Sequence, residues 1–508
     1  MKTFTIVHAA LVQFIIIQLL VVPTLSLVSR TGPKTGPTPS KPPQTPTSTV
    51  SDSSVSDSSV SLPPSPIVSI LGPPTPTVWS HFASLQTPQT INLGQGYPST
   101  SPPQFCLDSL QETVKSGSRI HQYTKSDGHP PLVEQLCKRY SKHMGEEITE
   151  ENVAVTVGAS QALYLSLQTL ISPGDEVLIF EPYFDLYINQ IKLAGGIPVP
   201  VPLDYAVNPL SGQKEWLLNP TTLSNSITPK TRCLIFNSPH NPTGKVFTTS
   251  EMSTISSLLL PHSSRITLLS DEVYKYIIHS PPPSSPPTSP PGHTMISSLY
   301  PNTLTISSSG KTFSATGWQV GWIIGPKPLL KPIKQMLPYV QFCACSITQD
   351  ALAKALPLSD STYTLNGIVY KDYYEYLKLS YVKRRDALIE ALEGAGFGVP
   401  DYEKVGGGGF FIFAEVTEDI IKRVKESTNG KEYFEMGRTK DWALCEYFIK
   451  EVGVGMIPSS PFFSEERVKE GISEKFVRVA FCGEVEDIEE AGRRIRCKEG
   501  GDVEACEI

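Results

Sequence analysis

Short apolar runs alternate with amphipathic helical patterns from residue 152 onward. Runs of buried-strand length and composition lie at Val153–Val157, Glu176–Phe180, Arg232–Phe236, Ile266–Leu269, Leu304–Ser307 and Val320–Ile324. Between them, helical patterns cover Ala159–Ile171, Phe184–Ala194 and Ser250–Leu260. Buried strands that alternate with helices predict an α/β fold, in which a mostly parallel sheet is sandwiched by helices.

The pattern changes after residue 357. A long helical stretch is predicted over Ile368–Glu393, followed by a mixed part that contains the apolar run Phe410–Phe413, a helix near Trp442–Lys450 and a strand at Phe476–Phe481. We therefore expect a large domain over residues 104–357 and a smaller α+β domain over 358–508, with residues 78–103 as an N-terminal arm that joins the small domain. Pro281–Gly292 is rich in proline and serine and is predicted to be a surface loop.

The N-terminal region has a different composition. The apolar run Ala9–Val22 is too short for a comfortable membrane span and suits a signal peptide within residues 1–28. A retained signal anchor, which would place the protein at a membrane, is the alternative. Residues 29–77 are rich in Ser, Thr and Pro and are predicted to be a disordered linker. The scarcity of acidic residues in this region is also typical of import into an organelle such as a plastid or mitochondrion.

Charge and cysteine content exclude some classes of function. The net charge of −7 leaves no basic stripe for nucleic-acid binding. The nine cysteines show neither zinc-ligand spacing nor a disulfide framework, so no metal site is predicted. Most of them are expected to be free thiols in a reducing compartment, which argues against simple secretion.

Candidate chemistry lies just after the predicted strands. Asn241, Asp271 and Lys311 each follow a strand, and Tyr274 comes three residues after Asp271. In such sheets, ligands gather at the carboxyl ends of the strands. A lysine can form an imine, a carboxylate can keep a pyridine nitrogen protonated, and a phenol and an amide can bond to a ring oxygen. Taken singly, each residue could be structural, but the ordered set predicts a site for pyridoxal 5′-phosphate (PLP).

Two further features suit anions. Gly158-Ala-Ser-Gln161 opens a predicted helix directly after a strand, where free N–H groups and the helix dipole favour a phosphate. Every strand-to-helix turn shares this property, so the signal is weak alone. Arg478 lies within the apolar run Phe476–Phe481 and needs an anionic partner there. That partner is either a structural carboxylate or the α-carboxylate of a substrate.

These residues belong to a wider resemblance, which runs from about Trp79 to about Gly483. The chain resembles the fold-type I, PLP-dependent aminotransferases of class I/II. Within that family it is most similar to kynurenine aminotransferase, also called glutamine transaminase K or cysteine-S-conjugate β-lyase. The motifs that carry the resemblance are Asn92-Leu-Gly-Gln-Gly-Tyr-Pro98, Gln122-Tyr-Thr-Lys125, Glu181-Pro-Tyr-Phe-Asp185, Asn237-Ser-Pro-His-Asn-Pro-Thr-Gly-Lys245, Ser270-Asp-Glu-Val-Tyr274 and Gly310-Lys-Thr-Phe-Ser-Ala-Thr-Gly-Trp318.

The resemblance implies roles for residues around the cofactor ring. Lys311 would form the imine with PLP, and Asp271 would pair with the pyridine nitrogen. Phe184 would stack on the ring, while Asn241 and Tyr274 would bond to its 3-oxygen. Lys311, Asp271 and Tyr274 are thus the implied catalytic residues.

The resemblance also implies how the phosphate is bound. The backbone amides of Ala159 and Ser160 and the hydroxyl of Ser308 would hold it, and Tyr123 would reach it from a partner subunit. Members of this family form homodimers, so Tyr123 and Phe342 are expected to complete the site of the partner.

For the substrate, the resemblance implies that Gly96, Asn241 and Arg478 bind the α-carboxylate, with Trp79 and Phe342 as apolar walls. The implied reaction moves an amino group from an L-amino acid to a 2-oxo acid, and the donor would be kynurenine, glutamine or another aromatic or sulfur-containing amino acid. β-Elimination from cysteine conjugates is an alternative at the same site. A PLP-binding protein without turnover is a further alternative.

Three positions depart from the family pattern. Gln319 stands where relatives have a Lys or Arg that pairs with the phosphate, so one charge contact is missing. Ser160 and Cys343 stand where aromatic or imidazole groups usually flank the substrate. We expect weaker cofactor affinity and an altered preference among aromatic donors.

Overall fold

The structure is a computed structural model and describes residues 66–72, 76–282 and 293–498. In chain order its strands are β1 (Ile91–Asn92), β2 (Val153–Val157), β3 (Glu176–Glu181), β4 (Ile197–Pro202), β5 (Asp204–Val207), β6 (Lys214–Leu217), β7 (Thr231–Asn237), β8 (Thr267–Asp271), β9 (Ile278–Ser280), β10 (Thr303–Ser308), β11 (Val320–Ile324), β12 (Tyr363–Leu365), β13 (Ile368–Tyr370), β14 (Gly407–Gly408), β15 (Phe411–Glu415), β16 (Val454–Gly455), β17 (Ile457–Pro458) and β18 (Phe476–Ala480).

The α-helices connect and cover these strands. In chain order they are α1 (Pro66–Ser69), α2 (Val78–Ser84), α3 (Gln104–Lys115), α4 (Pro130–Met144), α5 (Gly158–Leu170), α6 (Leu186–Leu193), α7 (Pro220–Ser226), α8 (Thr249–Leu259), α9 (Ser309–Thr312), α10 (Lys327–Val340), α11 (Ser346–Ser359), α12 (Tyr373–Gly394), α13 (Tyr402–Val405), α14 (Glu418–Glu426), α15 (Gly430–Glu435), α16 (Lys440–Tyr447), α17 (Glu465–Lys469) and α18 (Val485–Lys498).

A seven-stranded sheet lies at the centre, with the order β2-β11-β10-β8-β7-β3-β4. Neighbours from β10 to β4 are parallel, whereas β11 runs antiparallel to both β10 and β2. Its central strands are buried on both faces, as their continuous apolar runs predict. The predicted α/β fold with a mostly parallel sheet is therefore confirmed.

Local sequence signals set several helix ends. Helix α4 begins with proline at its first position and ends before Gly145, whose φ of 70° is a left-handed conformation that glycine adopts without strain. Helix α8 begins with a capping box, in which Thr248 and Glu251 each bond to the backbone of the other.

Apolar side chains fill both faces of the sheet. On one face, Leu163, Leu167 and Ile191 from α5 and α6 pack with Leu330 and Ile333 from α10. On the other face, a larger cluster continues into the C-terminal part of the chain. There β15, β18 and β17 form an antiparallel three-stranded sheet in which Phe413, Arg478 and Ile457 lie side by side.

The prediction of one helix over Ile368–Glu393 is wrong at its start. Ile368–Tyr370 is strand β13, which pairs with β12 across a turn at Asn366 and Gly367 with φ values of 52° and 79°. Asn-Gly favours this tight hairpin, and β-branched residues after it favour a strand. The helix starts only after Asp372, whose side chain accepts a hydrogen bond from the N–H of Glu375.

Parts of the predicted organisation lie outside the described residues. These are the leader, most of the linker and residues 283–292 of the Pro/Ser loop; within the linker, Pro66–Ser69 forms one helical turn. The described residues all belong to one compact unit, and the domain division at residue 357 stays a prediction. In the same residues, no helix combines the length and hydrophobicity needed to cross a bilayer. Seven cysteines there are free, while Cys497 is disulfide-bonded.

Candidate active site

One cavity of about 460 Å³ gathers most of the predicted site residues. It is lined by the predicted residues Trp79, Gly96, Ala159, Ser160, Phe184, Asn241, Asp271, Tyr274, Ser308, Lys311 and Arg478. They come from sequence positions up to four hundred residues apart and from six or more elements of the fold. Residues that the sequence places far apart, and that were predicted to form one site, therefore line the same cavity.

Sheet register explains how these side chains meet. Asn237 at the end of β7 pairs with Asp271 at the end of β8, and Asp271 pairs in turn with Ile306 of β10. Because these strands are parallel, their carboxyl ends lie at one edge of the sheet, and Lys311 comes three residues after the end of β10 at Ser308. The start of α5 packs closely against β11 at this edge. The close packing requires glycine at position 321, because a Cβ there would lie only 2.3 Å from the carbonyl carbon of Gly158.

The amine of Lys311 faces the cavity in a partly buried position. Its Nζ donates a hydrogen bond to the carbonyl oxygen of Gly96 at 2.5 Å. Burial, assisted by the positive charge of Arg478, lowers the pKa of Lys311 to about 8. The neutral and nucleophilic form of this amine is therefore far more accessible than in a surface lysine.

The carboxyl group of Asp271 is buried at the end of β8. Its Oδ2 accepts a hydrogen bond from the hydroxyl of Tyr187 at 2.7 Å, whereas Oδ1 has no hydrogen-bond partner among the described residues. Burial raises the pKa of Asp271 to about 6, against the opposing effects of Tyr187 and of the Val273 N–H. At neutral pH, most of this group is a carboxylate with one free oxygen.

Arg478 is an isolated cation among aromatic rings. Its guanidinium carbon lies 4.2 Å from the ring centre of Phe411 and 4.6 Å from that of Trp79. Its Nη1 donates to Oδ1 of Asn241 at 3.1 Å and its Nη2 to the carbonyl of Gly94 at 2.7 Å. Burial lowers the pKa of Arg478 to about 10, so the group stays charged at neutral pH but has no carboxylate within ion-pair distance in the described residues.

The other end of the cavity is formed by backbone groups and small polar side chains. Helix α5 starts at Gly158, whose φ is 71°. Because Ala159 and Ser160 lie in the first turn of this helix, their N–H groups have no hydrogen-bond partner within it. Ser308 lies beside them, and Gln319 completes this end, its Nε2 donating to the carbonyl of Thr316. Lys311 and Arg478 are the cations among the described lining residues, and neither belongs to this end.

Tyr123 and Phe342 do not line the cavity of their own chain. They contact each other with ring centres 4.5 Å apart, and 78% and 59% of their surfaces are exposed. Nearby in sequence, Tyr339 is 90% exposed. The position of Tyr123 and Phe342 is compatible with a role in a partner subunit, which stays a prediction.

No role was assigned from the sequence to several further lining residues, which are Gln95, Tyr97, Tyr187, Asn237, Thr316 and Phe411. Asn237 donates to the backbone carbonyl of Asp271 and accepts from the N–H of Asn241, which ties two strand ends together. Tyr187 falls in a predicted helix three residues after Phe184, and that one-turn spacing was the available signal.

Comparison with known proteins identifies the family. The sequence pattern described as "Aminotransferase class I and II" matches residues 88–495. This chain belongs to the class I and II aminotransferases. The aminotransferase is 35% identical over 421 residues to a kynurenine–oxoglutarate transaminase of Dictyostelium discoideum, covering 80% of this chain and 90% of that one.

Solved structures agree with this assignment. The crystal structure of Bna3p from Saccharomyces cerevisiae matches with a TM-score of 0.70 and 29% identity, covering 84% of this chain and 96% of that chain. YbdL of Escherichia coli, described with a methionine aminotransferase function, matches with a TM-score of 0.68 and 25% identity over 84% and 98% of the two chains. The chain is thus a fold-type I aminotransferase enzyme, and its family implies PLP, amino acids and 2-oxo acids.

The cavity fits this cofactor. Oδ1 of Asp271 is a buried acceptor without a partner, which a protonated ring nitrogen would satisfy. The Lys311 amine has a lowered pKa, as reaction with an aldehyde requires, and the unpaired N–H groups at the start of α5 suit a phosphate.

Proposed function

We propose that this aminotransferase moves an amino group from kynurenine, glutamine or another aromatic or sulfur-containing L-amino acid to a 2-oxo acid. The observation that carries the proposal is the meeting of Lys311, Asp271 and Arg478 in one cavity. The aromatic surroundings of Arg478 and the similarity to kynurenine–oxoglutarate transaminases support this group of donors.

Five side chains would hold the cofactor ring. Lys311 would bind it covalently through Nζ, and Asp271 would pair with the ring nitrogen through Oδ1. Phe184 would cover one face, and Asn241 and Tyr274 would donate to the 3-oxygen. Burial raises the pKa of the Tyr274 phenol, so it stays a protonated donor throughout the neutral range.

The polar end formed by α5 would hold the phosphate. The amides of Ala159 and Ser160 point along the axis of a 13-residue helix, whose dipole favours an anion at this end. Ser308 would add a hydroxyl donor. Gln319 adds no positive charge, so binding here relies on neutral donors.

Arg478 would bind the α-carboxylate of the amino acid. Asn241 and the carbonyl of Gly94 hold two of its nitrogens, so the guanidinium plane is fixed before the substrate arrives. A carboxylate would supply the anionic partner that this buried cation lacks, with Gly96 beside it. Trp79 is held as a wall by a 2.9 Å hydrogen bond from its Nε1 to Asp185.

Lys311 would also move the proton of the substrate. Once displaced from the cofactor, its Nζ can take the proton from the substrate α-carbon, and a pKa of about 8 suits this role as general base. When bound, PLP supplies an electron sink for the electron pair left on that carbon. Asp271 supports this by staying negatively charged beside the ring nitrogen.

The functional unit we propose is a homodimer. Tyr123 and Phe342 form an exposed aromatic pair, and Tyr339 is also exposed; burial against a second copy would remove such rings from water. Tyr123 would then reach the phosphate of the partner, and Phe342 its substrate pocket.

The decisive variant is Lys311→Ala. We expect loss of the visible absorbance of the PLP complex and a fall in transaminase activity of at least about 10⁴-fold, because both anchor and base are removed. A panel of amino donors would be assayed for 2-oxo acid, with ammonia measured in parallel for cysteine conjugates. Full activity in this variant would contradict the proposed function.

Subunit complementation tests the dimer separately. Mixed dimers of Lys311→Ala and Tyr123→Ala chains contain one site with both an intact lysine and an intact partner tyrosine. Activity should rise on mixing and subunit exchange if Tyr123 acts across the interface. No rise, with mixed dimers verified by mass, would overturn the shared site and leave the chemistry of Lys311 untouched.

A further inference from the structure

Tyr187 connects helix α6 to the buried carboxylate at the end of β8. Its hydroxyl donates to Oδ2 of Asp271 at 2.7 Å, and the two residues are only 3% and 5% exposed. Both line the cavity. They are 84 residues apart in sequence, so the contact exists only in the folded chain.

Because of this hydrogen bond, the two carboxylate oxygens of Asp271 have different environments. Oδ2 is occupied by Tyr187, while Oδ1 is buried and has no hydrogen-bond partner among the described residues. A side chain fixed through one oxygen cannot rotate freely about its Cβ–Cγ bond, so the direction of the other oxygen is set. The ring of Tyr187 also packs edge-on against Phe184, with centres 5.7 Å apart.

The charges around Asp271 show why such a donor matters. Tyr187 from α6 and the Val273 N–H favour the carboxylate, and Lys311 beyond β10 does so more weakly. Burial opposes them most strongly, and the adjacent Glu272 acts in the same direction as burial, so the pKa of Asp271 is about 6. Tyr274 also lies near enough for its own pKa to be affected by Asp271.

We propose that Tyr187 is a positioning residue that holds Asp271 through Oδ2 and presents Oδ1, in its charged form, to the ring nitrogen of the cofactor. The inference rests on the proposed function for the pairing of Asp271 with that nitrogen. It adds a residue that contacts the carboxylate expected to pair with the cofactor, and this residue supplies a hydrogen-bond donor that favours the charged form of that carboxylate against the effect of burial.

The test is Tyr187→Phe, which keeps the ring and its contact with Phe184 and removes only the hydroxyl. Binding of PLP to the cofactor-free protein would be measured between about pH 5.5 and 8.5. Loss of one hydrogen bond to a charged group should weaken binding about 10- to 100-fold near neutrality. The deficit should shrink as pH rises, because the carboxyl group without its donor has a higher pKa and is ionised only at higher pH.

Tyr183→Phe is the matched control. Tyr183 lies four residues earlier, is 5% exposed, and is absent from the cavity lining. Its variant should bind PLP like the unchanged protein at every pH. If Tyr187→Phe failed to fold while Tyr183→Phe folded, the role of Tyr187 would be structural and the proposal would be overturned.

A double variant separates positioning from packing. In an Asp271→Asn background, Tyr187→Phe should cause no further loss of PLP affinity, since the charge it supports is gone. An equal loss in both backgrounds, or a loss independent of pH, would overturn the proposal. If Tyr187→Phe behaves like the unchanged protein while Lys311→Ala still loses the PLP absorbance, only the role of Tyr187 fails and the proposed function stands.

Discussion

The two ends of the cavity handle charge differently. At the end formed by Asp271, Lys311 and Arg478, ionisable side chains are withdrawn from water and their pKa values are shifted to about 6, 8 and 10. At the end formed by Gly158–Ser160, Ser308 and Gln319, no side chain carries a charge, and anion binding depends on the dipole of α5 and neutral donors.

This difference shows which groups need burial to function. Chemistry at a substrate carbon requires groups whose protonation can change near neutral pH, and burial provides the shifts. Holding a phosphate needs only fixed donors, which a helix start supplies close to the surface. Substitutions at the buried end should therefore have larger effects than those at the exposed end.

The largest effect among the remaining tests is expected for Arg478→Lys. A lysine cannot keep the bonds to Asn241 and Gly94 while also binding a carboxylate in two-pronged fashion. Disturbing this buried group should lower kcat/KM by about 10²- to 10³-fold, on the order of 3–4 kcal/mol, mostly through KM. Steady-state kinetics with a saturating 2-oxo acid would measure it.

Arg232→Lys provides the control for that substitution. Arg232 is partly exposed and pairs with Asp175 at 3.7 Å, away from the cavity, so its replacement should leave kcat/KM unchanged. An Arg478→Lys variant with unaltered KM for every amino donor would show that the buried end does not bind the carboxylate.

The second prediction concerns pH. Because the pKa of Lys311 is about 8, the fraction of neutral amine rises steeply around that pH and levels off near pH 9, and the rate of PLP capture by cofactor-free protein should rise with it. The expected gain is roughly tenfold between pH 7 and 9. Borohydride trapping followed by peptide mapping would follow capture at this residue.

Asp271 should determine how PLP binding depends on pH below neutrality. Its carboxylate is lost below a pKa of about 6, so cofactor retention should fall as pH drops through this value. A capture rate at Lys311 that rises about a hundredfold from pH 7 to 9, as for a lysine with an ordinary pKa, would contradict the effect of burial on the amine.

The smallest effect is expected at the exposed end, for Gln319→Lys. The residue has a left-handed backbone, with φ of 52°, that lysine would share, and its side chain lies beside the start of α5. A new charge there should tighten PLP binding by about tenfold or less, near 1 kcal/mol, and salt should reduce the gain. Dialysis half-times and equilibrium binding at two ionic strengths would measure it.

Gln319→Met, which adds no charge, is the matched control and should leave retention unchanged. If Gln319→Lys lost PLP as quickly as the unchanged protein, the neutral end would already hold the phosphate fully. The two ends of the cavity would then differ in the charge of their residues, but the lack of a charge at Gln319 would not weaken PLP binding.

Elements with a clear hydrophobic periodicity could be predicted from the sequence. The strands that end near Asn237 and Asp271 were placed within two residues, because their apolar runs and following polar residues are local signals. The hairpin at Asn366–Gly367 was not predicted, although Asn-Gly is a turn signal. The long helical pattern that follows led to the prediction of a helix that starts already at Ile368.

Residues that act through others were harder to find. Asn237 and Tyr187 carry no chemistry of their own that the sequence spacing could reveal, and their importance comes from hydrogen bonds to Asp271 across the sheet edge and from α6. Such contacts depend on register and packing, which one-dimensional patterns do not contain.

By itself, the sequence determined the order of strands and helices and the polar residues after each strand, because these depend on neighbouring residues. The absence of a cation at Gln319 is visible in the sequence only through the resemblance to the family. The tertiary structure alone decided that Lys311, Asp271 and Arg478 share one cavity and how far their pKa values move. It also decided that Tyr187 holds one oxygen of Asp271 and leaves the other free. Burial and hydrogen bonding between distant segments set these properties, and they exist only once the chain has folded.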